Sequence, residues 1–226
     1  MTPKWIILLR HGQSAANADQ AVYAQVPDYR IALTDEGISQ SRAAGARIAQ
    51  LIGDEPFGVF CSPYRRTVQT KDAMLEGLGR SPAFDYQDPS LREQEYGNMP
   101  QTETILRHQE TRHEFGRFFY RFPEGESCAD VYDRMTLFLH SLYRFFERTE
   151  CPANIVIVSH GTAIKCFLAR WYHWSVERFD DIGALPNCHV SVMTKEQAPD
   201  ADRKGVFTLD EPFCSSPVFA DQRGRL

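Results

Sequence analysis

The chain has 226 residues, 42% of them hydrophobic and 24% charged, with a formal net charge of -5. That composition excludes a disordered or fibrous chain, and the acidic balance argues against a nucleic-acid partner, which usually meets a basic face. No apolar run approaches the ~20 residues of a membrane span, and the first apolar run is too short for a signal peptide, so the expectation is a cytoplasmic protein without a membrane partner.

In chain order, Trp5 to Leu9 is an apolar run that suits a strand buried on both faces, and it ends abruptly in Arg10-His11-Gly12. A charged pair at the carboxyl end of such a strand lies where open parallel sheets hold ligands. Gly12 lets the backbone turn, and Gln13 to Asn17 can begin a helix whose free N–H groups would point at an anion beside His11. Tyr23 to Tyr29 reads as a loop or short irregular insert, whose tyrosines either border the pocket or pack on the surface, the second reading being slightly favoured. Thr34 caps a helix with Asp35 and Glu36 in its first turn, and Ile38, Gly45, Ile48, Ala49 and Ile52 form its core face. A short strand at Gly58 to Phe60 is followed by Pro63 and a helix carrying Arg65, Arg66, Val68, Leu75 and Leu78, ended by Gly77 and Gly79.

Ala83 to Tyr86 is expected as the next strand, and Asp88-Pro89 turns the chain into Leu91 to Gly97. From Pro100 to Phe122 basic and aromatic residues alternate: Arg107, His108, Arg112, His113, Arg117 and Arg121 with Phe115, Phe118, Phe119, Tyr120 and Phe122. Arg107, Arg112 and Arg117 recur every five residues, a spacing that walks around a helix instead of forming one cluster. Ser127 with Asp130 forms a capping box for a helix with Val131, Met135, Leu139, Leu142 and Phe146 on one face. Ile155 to Val158 then repeats the first strand's grammar, running into Ser159-His160-Gly161 and a helix from Ala163 to Trp171. His189 to Thr194 and Val206 to Leu209 read as further strands joined by a polar loop with Pro199, Asp200, Asp202 and Gly205. The last dozen residues show no period. The six cysteines, at 61, 128, 151, 166, 188 and 214, have no short paired spacing and are expected as reduced thiols, with no zinc site and no metal elsewhere.

Two strand ends that each present a histidine, one beside an arginine, suit attack by a neutral imidazole on phosphorus, with guanidinium and amide donors neutralising the phosphoryl charge. Strand and helix alternation predicts an α/β fold, a three-layer, doubly wound, mostly parallel sheet with helices on both faces and the site at the strand ends near residues 10 and 160.

The motifs resemble the histidine phosphatase superfamily, the phosphoglycerate-mutase-like fold. Arg10-His11-Gly12 and Ser159-His160-Gly161 match its early and late strand ends, and Leu33-Thr34-Asp35-Glu36-Gly37 with Gln40 its second element. Ser62-Pro63-Tyr64-Arg65-Arg66-Thr67-Val68-Gln69-Thr70, Leu91-Arg92-Glu93-Gln94-Glu95-Tyr96-Gly97 and Gly125-Glu126-Ser127 match the rest, colinear from about Trp5 to Trp174. The resemblance implies His11 as nucleophile, Glu93 as acid and base, and His160, Arg10, Arg66, Asn17 and Gly161 around the phosphoryl group. Arg65 is then a surface residue, Glu95 faces elsewhere, and Gln69 and Thr70 pack and cap. It also implies one domain over residues 1–226 with a helical lid inserted at about 98–123.

The run from Arg117 to Pro123 before Gly125-Glu126-Ser127, with Arg170-Trp171-Tyr172, looks most like the small phosphoglycerate-mutase-like phosphatases of plants and fungi. The expectation is therefore a metal-independent phosphomonoesterase without a cofactor, acting on a small phosphorylated metabolite through a phosphohistidine. The alternatives are a cofactor-dependent phosphoglycerate mutase and an inactive module that binds a phosphorylated ligand or protein. The substrate alcohol and the oligomeric state, a homo-oligomer among the options, are left open.

Overall fold

The computed structural model describes residues 3–97, 102–195 and 207–209. Its strands are β1 Trp5–Arg10, β2 Phe57–Cys61, β3 Asp85–Gln87, β4 Asn154–Ser159, β5 Val190–Lys195 and β6 Phe207–Leu209. They form one six-stranded sheet in the order β3-β2-β4-β1-β5-β6. β1, β4, β2 and β3 run parallel, β5 pairs antiparallel with β1, and β6 pairs antiparallel with β5. Only β5 opposes the others, which agrees with the mostly parallel sheet expected from the buried strand patterns.

The helices are α1 Ala15–Ala18, α2 Asp35–Ile52, α3 Arg65–Leu78, α4 Thr102–Phe115, α5 Cys128–Phe146, α6 Gly161–Trp171 and α7 Val176–Asp181. Successive side chains of a strand face opposite sides of the sheet, so the apolar runs supply two cores at once. Ile6, Leu8, Ile155 and Ile157 pack beneath Val131, Met135 and Phe138 of α5 and Ile164 and Phe167 of α6. Ile7, Leu9, Val156 and Val158 pack beneath Ala44 and Ile48 of α2 and Met74 and Leu78 of α3. The three layers follow from that division.

The cap signals hold. Thr34 Oγ1 accepts from the Gly37 N–H at 3.1 Å, and Ser127 Oγ accepts from the Asp130 N–H at 3.2 Å while the Ser127 N–H donates to Asp130 Oδ2 at 2.7 Å. Three local expectations change. Gly79, in the left-handed conformation, ends α3. Gly77 lies inside the helix, where a Cβ would stand 2.0 Å from the Arg42 carbonyl oxygen of α2, so its role is close helix contact rather than termination. On α2, Ile38 and Ala49 are half-buried at the edge, and the buried face is Gly37, Ser41, Ala44, Gly45, Ile48 and Ile52. The third strand begins at Asp85 rather than Ala83, although the Ala83 N–H already donates to the Phe57 carbonyl at 2.7 Å.

α4 lies against the 3-10 helix Gln20–Ala24. Gly116, at φ 105°, follows its end, so the helix does not continue to Arg121. Phe122 is fully buried and anchors Tyr96 and Tyr120 at ring separations of 4.9 and 5.4 Å. Cys61, Cys128, Cys151, Cys166 and Cys188 are buried free thiols, in keeping with the expectation. Cys214, the polar loop around Pro199 to Gly205 and the aperiodic tail lie outside the described residues, as do residues 98–101 of the expected lid. No helix among the described residues is long and apolar enough to cross a membrane.

Candidate active site

The register of the two central strands makes the site. Arg10 of β1 pairs with Ser159 of β4, so His11 and His160 leave neighbouring parallel strands side by side. Their ring centroids are 5.2 Å apart, and both are buried. His11 is held at its backbone: its N–H donates to the Ser159 carbonyl, and its own carbonyl accepts from the Cys188 N–H at 3.1 Å and from Asn187 Nδ2 at 3.3 Å. Its Nδ1 stands 2.8 Å from the Gly12 carbonyl oxygen. A carbonyl only accepts, so Nδ1 carries the proton in this contact and Nε2 keeps its lone pair, a tautomer inferred from the partner. Burial, then the positive charges of Arg66 and Arg10, hold His11 well below its ordinary pKa, so the imidazole is neutral.

Gly12 is required where it stands, because a Cβ would lie 2.4 Å from the Gly37 carbonyl oxygen at the start of α2. The Gly12 N–H donates to Thr70 Oγ1 at 3.0 Å, and Gln69 Oε1 accepts from the Leu33 N–H at 2.8 Å. These two side chains tie loops together, the packing role expected of them.

His160 Nε2 pairs with Ser62 Oγ at 2.8 Å, and its ring meets the edge of Tyr64 at 5.0 Å. Its Nδ1 is buried with no partner among the described residues. Burial first, then Arg66, keeps this histidine well below its ordinary pKa too. Arg10 donates from Nη1 to the Leu185 carbonyl, while its Nε is buried with no partner among the described residues and faces Gly161, whose Cβ position would be 3.5 Å away. Burial lowers its pKa. Arg66 is 3% exposed and forms a two-pronged pair with Asp28: Nη1 to Oδ1 at 2.7 Å and Nη2 to Oδ2 at 3.2 Å. Burial works against its charge, and Asp28 more than restores it, leaving the pKa raised. Arg65 is exposed, as expected.

Glu93 reaches the same edge of the sheet from the segment after β3. Its carboxylate sits on the first turn of α6, accepting from the Ala163 N–H at 3.2 Å and the Thr162 N–H at 3.4 Å, and from the Gln94 N–H at 2.9 Å. Burial raises its pKa against the pull of these amides and of Arg66 and Arg10. The segment itself is stapled by Arg134 of α5, which donates to the carbonyls of Ser90, Arg92 and Glu93 at 2.7, 2.9 and 2.9 Å. Glu126 pairs with Arg134 at 2.9 Å and Ser159 Oγ donates to the Leu91 carbonyl at 2.7 Å. Gly97 closes it at φ 80°, with the Pro123 carbonyl oxygen 2.1 Å from where a Cβ would be. Burial, then the charges of Asp28 and Glu126, raises the pKa of Glu95, which is also in electrostatic reach of Tyr64.

Two expectations are overturned. The amides after His11 are not free for an anion: Gly12, Gln13, Ser14 and Ala15 donate to Thr70 Oγ1, Gln40 Oε1, Asn17 Oδ1 and the Ala32 carbonyl. The strand end must be tied to α2 and α3, and those bonds consume the donors. Asn17 is exposed, its Oδ1 committed to capping α1 and to Asn187 Nδ2 at 3.0 Å, which leaves its carboxamide nitrogen as the group that can face an anion. Tyr23 is not simple surface packing either. It is half-buried, and burial followed by Asp28 pushes its hydroxyl up to about 12, with Arg66, Glu93 and Arg10 in electrostatic reach. Tyr29 is exposed at the surface. Asp28, Ser62 and Arg134 were not legible as site residues, since each contacts a partner 38, 98 or 41 to 44 positions away. Ser62 carried the one signal, its place inside the Ser-Pro element.

The family model of the histidine phosphatase superfamily (branch 1) matches residues 6–200. The chain is 41% identical over 209 residues to the phosphoglycerate mutase-like protein AT74H of Arabidopsis thaliana, covering 85% of this chain and 74% of that protein. It is 25% identical over 289 residues to the broad-range acid phosphatase DET1 of Saccharomyces cerevisiae, covering 87% and 86%. Among solved structures, a mycobacterial glucosyl-3-phosphoglycerate phosphatase superposes with a TM-score of 0.67 at 20% identity, covering 92% of this chain and 97% of that one, a likeness of fold. With two histidines at adjacent strand ends, two guanidinium groups and a buried carboxyl around them, the chain belongs to the histidine phosphatase superfamily.

Proposed function

We propose that the protein is a phosphomonoesterase that works through a phosphohistidine and needs no metal. The observation that carries this reading is the contact of His11 Nδ1 with the Gly12 carbonyl, which leaves Nε2 unprotonated on a ring packed beside His160. His11 Nε2 attacks phosphorus, the bond to the alcohol oxygen breaks, and Glu93 gives that oxygen its proton. Water then passes a proton to Glu93 as it attacks, the phosphorus–nitrogen bond breaks, and orthophosphate leaves with His11 neutral again. Arg10, Arg66, the Nδ1–H of His160, the backbone at Gly161 and the Asn17 carboxamide hold the phosphoryl oxygens. The segment of about 98–123 serves as the lid over a small phosphorylated metabolite. The name of the yeast relative, a broad-range acid phosphatase, supports hydrolysis.

The competing reading is a mutase, which needs a second anion site. Arg107 is exposed, Arg121 pairs with Asp130, and Arg117 donates to His113 Nδ1 at 2.9 Å, a dispersal that favours the phosphatase. One observation favours the mutase: Arg112 and Arg117 both lie in electrostatic reach of Lys165, adding to the burial that brings it to about 8. The decisive experiment follows phosphate release from a panel of phosphate esters and interconversion of 2- and 3-phosphoglycerate on one preparation. Phosphate release is expected to dominate, and His11→Ala is expected to lose all but about a hundredth of it or less. Mutase turnover above phosphate release, dependent on 2,3-bisphosphoglycerate, would reverse the choice, and a His11→Ala variant keeping a tenth of the rate would remove the nucleophile.

A further inference from the structure

The pair between Asp28 and Arg66 is not used by the chemistry above. Asp28 belongs to the short 3-10 helix Asp28–Arg30, and Arg66 to the first turn of α3. A guanidinium has five N–H donors. Asp28 takes both of those on Nη1, through its carbonyl at 2.8 Å and Oδ1 at 2.7 Å, and one on Nη2, through Oδ2 at 3.2 Å. Among the described residues, what is left is the second Nη2–H and the Nε–H, which lie together along the neighbouring edge and form a second two-pronged fork. The guanidinium carbon also stands over the Tyr64 ring at 5.0 Å, and that ring meets His160. The guanidinium is thus gripped along one edge and across one face.

We propose that Asp28 is the positioning residue for Arg66: it holds the guanidinium by its outer edge so that the Nε and Nη2 edge is presented to the phosphoryl group. This rests on the phosphatase reading. Since the two edges are distinct, Asp28 does not take the place of phosphate. Its negative charge offsets that of Arg66, so the fork serves the transition state through geometry more than the ground state through charge. Without Asp28, attraction for a phosphate dianion persists or grows, while the fixed geometry is lost. The consequence is a split between kcat and KM.

The test uses p-nitrophenyl phosphate with wild type, Asp28→Asn, Asp28→Glu, Arg66→Ala and the double variant Asp28→Asn/Arg66→Ala, with Tm recorded for each. Asp28→Asn is expected to lower kcat by about tenfold or more with KM unchanged or reduced, in line with the rate cost of small misplacements. Asp28→Glu, which keeps the charge and both oxygens, is expected to recover most of the rate. The double variant is expected to be no slower than Arg66→Ala, because Asp28 acts through that side chain. A kcat for Asp28→Asn equal to or above wild type overturns the proposal, as does a double variant slower than Arg66→Ala by the full factor of Asp28→Asn. Wild type without turnover on any phosphate ester would instead overturn the phosphatase reading itself.

Discussion

A histidine attacks only while neutral, and a carboxyl protonates a leaving group only while it holds its proton. At ordinary values of 6.5 for His11 and 4.5 for Glu93 these requirements exclude each other: one is met above 6.5, the other below 4.5. Burial moves both groups the helpful way, lowering His11 and raising Glu93, which brings the required forms toward one another in pH. The acid limb of kcat/KM then reports loss of neutral His11, and the alkaline limb loss of the Glu93 proton. A bell-shaped profile is expected, and Glu93→Gln should lower kcat by ~10²-fold or more and abolish the alkaline limb. A wild-type rate still climbing at alkaline pH would contradict the assignment of Glu93. At this scale His11, His160, Arg10, Arg66 and Glu93 were readable from their motif positions. Asp28 and Arg134 were not, because their significance lies in partners far along the chain.

Elements were legible where the pattern was local. Thr34 and Ser127 announced their helices because a side-chain cap and the amide it satisfies lie within three residues. The buried strands β1 and β4 were readable from their unbroken apolar runs. Gly77 was misread because its purpose is on another helix. Helix propensity alone would favour Ala at this position by about 1 kcal/mol. The added Cβ, however, would stand 2.0 Å from the Arg42 carbonyl oxygen, and Gly45 faces the Met74 carbonyl of α3 at the same 2.0 Å. Forcing the two helices apart should cost more than propensity returns, and overpacking of this kind typically costs 1–3 kcal/mol, so Gly77→Ala is expected to lower Tm by a few degrees. A raised Tm would mean that α2 and α3 part freely. The stretch that ends α4 was misjudged for a related reason: Gly116 breaks the helix, so arginines counted on one helical wheel sit on different supports.

At the scale of the molecule, the sheet order decides what the motifs become. β4 enters between β2 and β1, which sets His160 beside His11 and Ser62 beside His160, while α6 offers its first turn to Glu93. In the proposed reaction the phosphoryl charge is met by arginine, histidine and amide groups of the chain, so hydrolysis is expected to persist in excess chelator, and activity that vanishes with EDTA and returns with a divalent ion would refute the proposed chemistry. By itself the sequence determined the α/β class, the capped starts of α2 and α5, the buried strands and the candidate site residues at the strand ends, because these depend on residue type and on neighbours within a few positions. The tertiary structure alone decided which donors remained free. The amides after His11 were spent on α2, α3 and the chain at Ala32, and Arg66 was gripped by Asp28, since a hydrogen-bonding group has a fixed number of partners and long-range packing determines which of them it meets.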